Sequence, residues 1–222
     1  MVIDLRTSPG LSVYLDDMVR NATSGLDSAP LNARIEVGDG EAVRAELKSR
    51  RTYLAPSLDL TQFHVDLGEQ SYPRTVLGRF DLVPESGPDV STWKVARYVG
   101  SFTGTAMIAA HLGREAGLTD YHVAVLPADT ETGDEPLLTF AIPVPSVEPG
   151  SADQTHDRAK AFVDRFNRQA AAMEDQLRGV TEACAAAIDA AVDQAMEKVR
   201  LKNELLKRLN SLIKESAAQV DH

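Results

Sequence analysis

The residues of this chain whose types and spacing come nearest to a catalytic pattern are Asp39, Glu46 and Lys48. In metal-assisted phosphodiester cleavage, carboxylates hold Mg²⁺ and a lysine lies near the attacked phosphate. The alternation around Glu46 predicts a strand on which Glu46 and Lys48 share a face. However, Glu-x-Lys is a common tripeptide and a turn explains Asp39 equally well. These three residues are therefore the catalytic candidates, but the sequence favours a chain that is not an enzyme.

Other residue types that could do chemistry occur without a motif around them. His64 and Asp66 share a predicted strand face and could form one edge of a metal or acid–base site, although a solvent-facing strand explains them as well. The segment from Gly100 to Thr105 precedes a predicted helix but lacks the lysine and spacing of a phosphate loop. Cys184 lies on an apolar helix stripe, and we expect it to be a small core residue. We expect no metal and no cofactor.

Composition and charge narrow the class of protein. The 222 residues carry a net charge of -10 and contain one cysteine, so no internal disulfide can form and a reducing compartment is expected. The first residues lack the basic and apolar pattern of a signal peptide, so we expect none. No apolar run approaches the length of about 20 residues that spans a bilayer. The excess of acidic residues lies before residue 150, and its negative charge disfavours binding to nucleic acid and to anionic membranes. We expect a cytoplasmic protein.

The first two thirds of the sequence contain patterns typical of short strands and short helices. Asp39-Gly40 between alternating segments is typical of a β-hairpin, and a second hairpin is predicted after it. The predicted helices are residues 12–22 and 105–115. The predicted strands are residues 1–6, 32–37 and 41–47 (first hairpin), 58–67 and 75–83 (second hairpin), 93–102, 121–126 and 137–144.

The last third predicts one long helix. No proline follows Pro149, and Ser151 with Gln154 forms a capping-box pattern at the expected start. Apolar residues then recur at steps of four and three, which is the spacing of one helix face. This stripe consists of Phe166, Ala170, Met173, Leu177, Val180, Cys184, Ile188, Val192, Ala195 and Val199. A straight rod of about 100 Å would be too long to bury the stripe on its own domain. We therefore expect a folded-back hairpin or pairing with another chain.

Charge along the predicted helix favours an orientation for such a pair. Residues 169–197 are acidic and residues 198–214 are basic. An antiparallel pair about residue 197 would set opposite charges side by side, whereas a parallel pair would set like against like. The basic segment is also the one candidate for nucleic-acid contact. Its leucines and Ile213 indicate that one side is buried, which disfavours that interpretation.

Together these observations predict an α+β protein. A mostly antiparallel sheet with one or two short helices would form an acidic domain over residues 1–147, followed by a long helical arm over residues 148–222, as a coiled coil or helical hairpin. The favoured function is a non-enzymatic interaction or scaffold protein that self-associates through residues 151–220, with a surface for a protein partner on the acidic domain. The alternatives are a regulatory or sensing segment of a larger effector, such as a bacterial defence or stress protein, and a metal-dependent phosphodiesterase or nuclease.

Overall fold

The computed structural model describes residues 11–21, 29–82, 88–114, 117–126, 135–146 and 149–220. Its helices are α1 (Leu11–Arg20), α2 (Ala29–Val37), α3 (Gly40–Ser49), α4 (Arg74–Arg79), α5 (Ala106–Leu112), α6 (Ala152–Ala172) and α7 (Glu174–Val220). Its strands are β1 (Phe63–Pro73), β2 (Val90–Ser101), β3 (Ala124–Leu126) and β4 (Leu137–Pro143). The predicted strand over residues 1–6 lies outside the described residues.

The four strands form one antiparallel sheet in the order β1-β2-β4-β3. Along the central strand β2, Gly100 lies opposite Phe63 of β1, and Tyr98 lies opposite Phe140 of β4. Because the chain combines this antiparallel sheet with short helices and a long C-terminal helix, the structure confirms the predicted α+β class. The predicted strands over 93–102 and 137–144 are confirmed, and the one over 121–126 is shortened to Ala124–Leu126.

Contacts divide the chain into two compact units, which we call unit 1 and unit 2. Of the described residues, unit 1 contains Leu11 and those between Tyr53 and Leu177, and unit 2 contains those between Ser12 and Thr52 together with Arg178 to Val220. Unit 2 therefore joins early and late segments of the chain. The predicted domain boundary between residues 147 and 148 stays a prediction.

An aromatic core holds unit 1 together. Phe162 of α6 stacks on Phe140 of β4 with ring centroids 4.1 Å apart, and Phe140 stacks on Tyr98 at 4.7 Å. Phe140 and Phe162 are fully buried. Asn167 of α6 adds a polar anchor, because its side-chain amide donates to the carbonyl of Leu58 and accepts from that residue's N–H. Burial of these rings contributes to the apolar stabilisation of this unit.

The prediction of a hairpin over residues 32–47 is wrong, because both segments are helices. Asp39 is the N-cap of α3, and its carboxylate accepts a hydrogen bond of 3.0 Å from the N–H of Glu41. Asp serves as a helix cap as readily as a turn residue. The flanking residues are mainly Ala, Leu, Arg, Glu and Lys, which favour helix over strand.

The second predicted hairpin, 58–67 with 75–83, is also wrong. Strand β1 continues to Pro73, and Arg74–Arg79 form helix α4. The partner of β1 is β2, which begins at Val90. Sequence alternation shows that a segment suits a strand, but it does not reveal which other strand completes its hydrogen bonds.

The long C-terminal helix begins where the sequence predicts it, after Ser151, and it is interrupted once at Met173. The side chain of Ser151 makes no capping bond and donates instead to the carbonyl of Ser146. The N–H of Met173 bonds to the carbonyl of Ala170, three residues back, which tightens the turn between α6 and α7. No glycine or proline marks this break in the sequence.

Candidate functional site

Two early helices, α2 and α3, cover the first part of α7 within unit 2. Ile188, Val192 and Ala195 of α7 form one buried cluster with Leu31 and Ile35 of α2 and with Val43 of α3. Leu47 and Val199 pack against the edge of this cluster. The apolar stripe therefore has a cover within unit 2 up to Val199.

Ion pairs fix α3 against the same part of α7. Arg44 donates from Nη1 to Asp189 Oδ1 at 2.8 Å and from Nη2 to Asp193 Oδ1 at 2.5 Å. Lys48 Nζ lies 2.7 Å from the same Asp189 oxygen. The hydrogen bonds from Lys48 and then Arg44 lower the pKa of Asp189, while those to Asp189 and Asp193 raise the pKa of Arg44. These contacts orient α3 on α7.

The three catalytic candidates all lie in helix α3 or at its N-cap. Glu46 and Lys48 lie on a helix, where residues two positions apart point to different sides, so the predicted shared face is wrong. The carboxylate of Glu46 lies 2.6 Å from the guanidinium of Arg34 and 2.7 Å from that of Arg50. Lys48 faces Asp189, as described above. The structure thus places Asp39, Glu46 and Lys48 in a cap and in ion pairs.

The other sequence candidates lie in unit 1. His64 Nε2 and Asp66 Oδ2 are 3.7 Å apart on the exposed edge strand β1. Gly104 has a positive φ of 93°, and Thr105 Oγ1 accepts a hydrogen bond of 2.8 Å from the N–H of Leu54. The backbone angle of Gly104 and this hydrogen bond belong to a tight turn that leads into α5. Within the described ranges, no group of three or more His, Cys, Asp or Glu side chains is arranged to hold a metal ion.

Most of the predicted interaction stripe is buried within the chain itself. Phe166 and Ala170 lie in the core of unit 1, and Leu177 is also buried there. In unit 2 the buried stripe residues are Val180, Cys184, Ile188, Val192 and Ala195, while Met173 in unit 1 and Val199 in unit 2 are half-buried. The thiol of Cys184 lies 3.8 Å from the carbonyl oxygen of Met18 in α1, and burial raises its pKa.

The exposed apolar surface lies further along α7. Six large apolar side chains there are between 41% and 66% exposed: Leu201, Leu205, Leu206, Leu209, Leu212 and Ile213. At about 100° per residue they fall within an arc of about 140°, on one side of the helix. We call this surface the leucine face.

The sequence predicts an apolar helix side at the leucine face, but it does not predict that this side is exposed. The leucine spacing indicates an apolar side between residues 201 and 213, and we expected that side to be buried. Single exposed leucines are common on protein surfaces, whereas a continuous apolar face marks an interaction site. Helix α2 ends at Val37, and Glu36 beside it pairs with Lys202 at 2.7 Å. Helix α2 therefore covers only the start of the leucine face.

Unit 1 carries a separate apolar groove of about 280 Å³ on its sheet. Its lining includes Val65 and Leu67 of β1, Tyr98 of β2, Val144 after β4, and Thr155 of α6. Val65 and Leu67 are 51% and 70% exposed. The predicted binding surface on the acidic domain stays a prediction.

Comparison with protein-family models, curated proteins and solved structures found no match to this chain. In the part of the chain that the structure describes, no helix combines the length and apolar character needed to cross a bilayer.

Proposed function

We propose that this chain is a non-enzymatic interaction protein of the scaffold type, which self-associates through α7. The observation that supports the proposal is the leucine face, which contains six large apolar side chains over residues 201–213. Full burial of a Leu or Ile side chain contributes about 1.5–3 kcal/mol. Because these side chains are about half exposed, covering them would recover roughly half of that amount each.

The form of α7 suits an assembly role. From Arg178 to Val220 the helix rises about 65 Å at 1.5 Å per residue. Its first part is held by the buried cluster around Ile188 and by the ion pairs of Arg44. Its last part presents the leucine face at a fixed distance from those contacts. In this proposal, α7 sets the spacing between associated copies, and the groove and strand edge of unit 1 receive a protein partner.

The proposed setting is the cytoplasm. Cys184 is the one cysteine of the chain and is a buried free thiol. Such a thiol is compatible with a reducing compartment, where disulfides are rare.

Self-association is tested by light scattering coupled to size-exclusion chromatography on the full chain. We expect an assembly of at least twice the chain mass of 24.0 kDa. Leu205→Glu should return the mass to one chain, because a charge would enter the apolar contact. Asn210→Glu is the matched control, since it adds the same charge to the same helix outside the leucine face.

Circular dichroism on each variant checks that the helix content of the chain is retained. A wild-type chain that stays at 24.0 kDa at its highest soluble concentration would overturn the proposal. An equal effect of both substitutions would remove the leucine face as its basis.

A further inference from the structure

Strand β1 lies at one edge of the sheet in unit 1, and its outer side has no partner among the described strands. With 11 residues from Phe63 to Pro73 it is long for an edge strand. Each of these residues pairs with one residue of β2, so no bulge bends the edge away, and its only proline is the last residue. Such an edge presents outward N–H and C=O groups that a further strand can pair with.

The two faces of β1 differ in chemistry near its start. Phe63, Val65 and Leu67 alternate onto one face, where Val65 and Leu67 are 51% and 70% exposed and line the groove of unit 1. His64 and Asp66 lie on the other face, and their side chains are 64% and 68% exposed. A strand that pairs with this edge must therefore offer apolar side chains on one face and polar partners for His64 and Asp66 on the other.

A second copy of β1 meets both conditions in one register. When two copies of an edge strand pair antiparallel about a twofold axis, directly opposed residues point to the same face, so the axis passes through one residue position. With the axis at Val65, His64 of each copy lies opposite Asp66 of the other copy. On the other face, Val65 lies opposite Val65, and Leu67 lies opposite Phe63.

The neighbouring registers lose this match. With the axis at Asp66, two carboxylates would oppose each other, and Phe63 would lie opposite Glu69. With the axis at His64, the two imidazoles would oppose each other, and Asp66 would lie opposite Gln62. A carboxylate opposite an imidazole accepts a hydrogen bond from a ring N–H, whereas like charges directly opposite each other are destabilising.

We infer that the protein partner of the strand edge is β1 of a second copy of this chain, paired antiparallel with the twofold axis at Val65. The inference rests on the proposed self-association through α7. The register pairs residues 63–67, far fewer than the roughly 20–30 residues per partner of a stable interface, so the edge contact is weak by itself. Association through α7 raises the effective concentration of the second edge and so strengthens this contact.

Disulfide cross-linking of the full chain tests the register. Val65→Cys places two thiols at the axis, where opposed Cα atoms are about 4.5–5.5 Å apart and can be bridged by a disulfide. Leu67→Cys is the matched control, because residue 67 is more exposed but its two copies lie about 13 Å apart along the strands. Under mild oxidation we expect a covalent dimer from Val65→Cys and at least about fivefold less from Leu67→Cys. The wild-type chain, whose one thiol is the buried Cys184, should not cross-link.

A charge change in the Val65→Cys chain tests the match between His64 and Asp66. His64→Asp would oppose carboxylates at two positions of the dimer, so we expect the rate of cross-linking to fall by about fivefold. Thr139→Asp is the control, because it adds the same charge to the same face of the sheet, level with His64 but two strands further from the edge. It should leave the rate nearly unchanged.

The outcomes separate this inference from the proposed function. If the wild-type chain associates and Leu205→Glu dissociates it, but Val65→Cys does not cross-link, self-association through α7 stands and the edge pairing is wrong. If Leu67→Cys cross-links as fast as Val65→Cys, or if His64→Asp leaves the rate unchanged, the inference is overturned. If the wild-type chain does not associate, the proposed function and the inference fail together. Selective cross-linking at residue 65 that His64→Asp weakens would establish the pairing.

Discussion

Truncation of one buried isoleucine measures how much the early helices stabilise α7. Ile188 is 1% exposed and belongs to the cluster with Leu31, Ile35 and Val43. Ile188→Ala removes three carbons, which corresponds to about 2.4 kcal/mol of lost transfer free energy at 0.8 kcal/mol per carbon. The cavity left between α7 and the early helices adds to this loss. We therefore expect the free energy of unfolding to fall by about 2–5 kcal/mol.

The matched control is Ile213→Ala, the same chemical change on the same helix. Ile213 is 66% exposed, so the expected change is below about 0.5 kcal/mol. Alanine also favours the helix slightly over isoleucine, which partly offsets any loss of contact. Both variants are made in the full chain, and urea unfolding is followed by circular dichroism at a low protein concentration.

Equal losses in the two variants would refute the packing described here. Such a result would mean that α2 and α3 do not cover α7 at Ile188. A large loss for Ile188→Ala that is independent of protein concentration would show that the cover comes from the same chain. The comparison therefore separates intramolecular packing from association.

Three further predictions concern backbone geometry and pH. Gly104→Ala should cost about 1–3 kcal/mol in urea unfolding, because φ is positive and the new Cβ would meet backbone atoms, whereas Gly179→Ala should stabilise helix α7 by about 0.5–1 kcal/mol. Burial lowers the pKa of His111. The contribution of neutral His111 to stability should therefore be complete above the ordinary histidine pKa of 6.5 and be lost as pH falls through the lowered pKa. Thermal melts of His111→Gln should show a weaker dependence of stability on pH. The hydrogen bond from Lys48 lowers the pKa of Asp189, so its contribution should be present above 3.8 and be lost as pH falls further; Asp189→Asn should remove this part of the acid transition.

The wrong hairpin prediction around Asp39 has a physical origin. Asp39-Gly40 permits both a hairpin turn and a helix start, because Asp can cap a helix or stabilise a turn. The choice depends on the surface that receives the flanking residues. Here Leu31, Ile35 and Val43 meet α7 far along the chain, and this contact favours two helices. Nothing within a short window around Asp39 contains that information.

The sequence by itself determined the α+β class, the start of the C-terminal helices after Ser151 and the apolar stripe with its polarised charges. Those features follow from propensity, side-chain period and the absence of proline, which are properties of neighbouring residues. Only the tertiary structure decided that α2 and α3 cover the stripe between Ile188 and Val199 and that the leucine face remains exposed. Burial depends on which distant segment supplies the opposing surface, and the free energy of that contact belongs to both segments together.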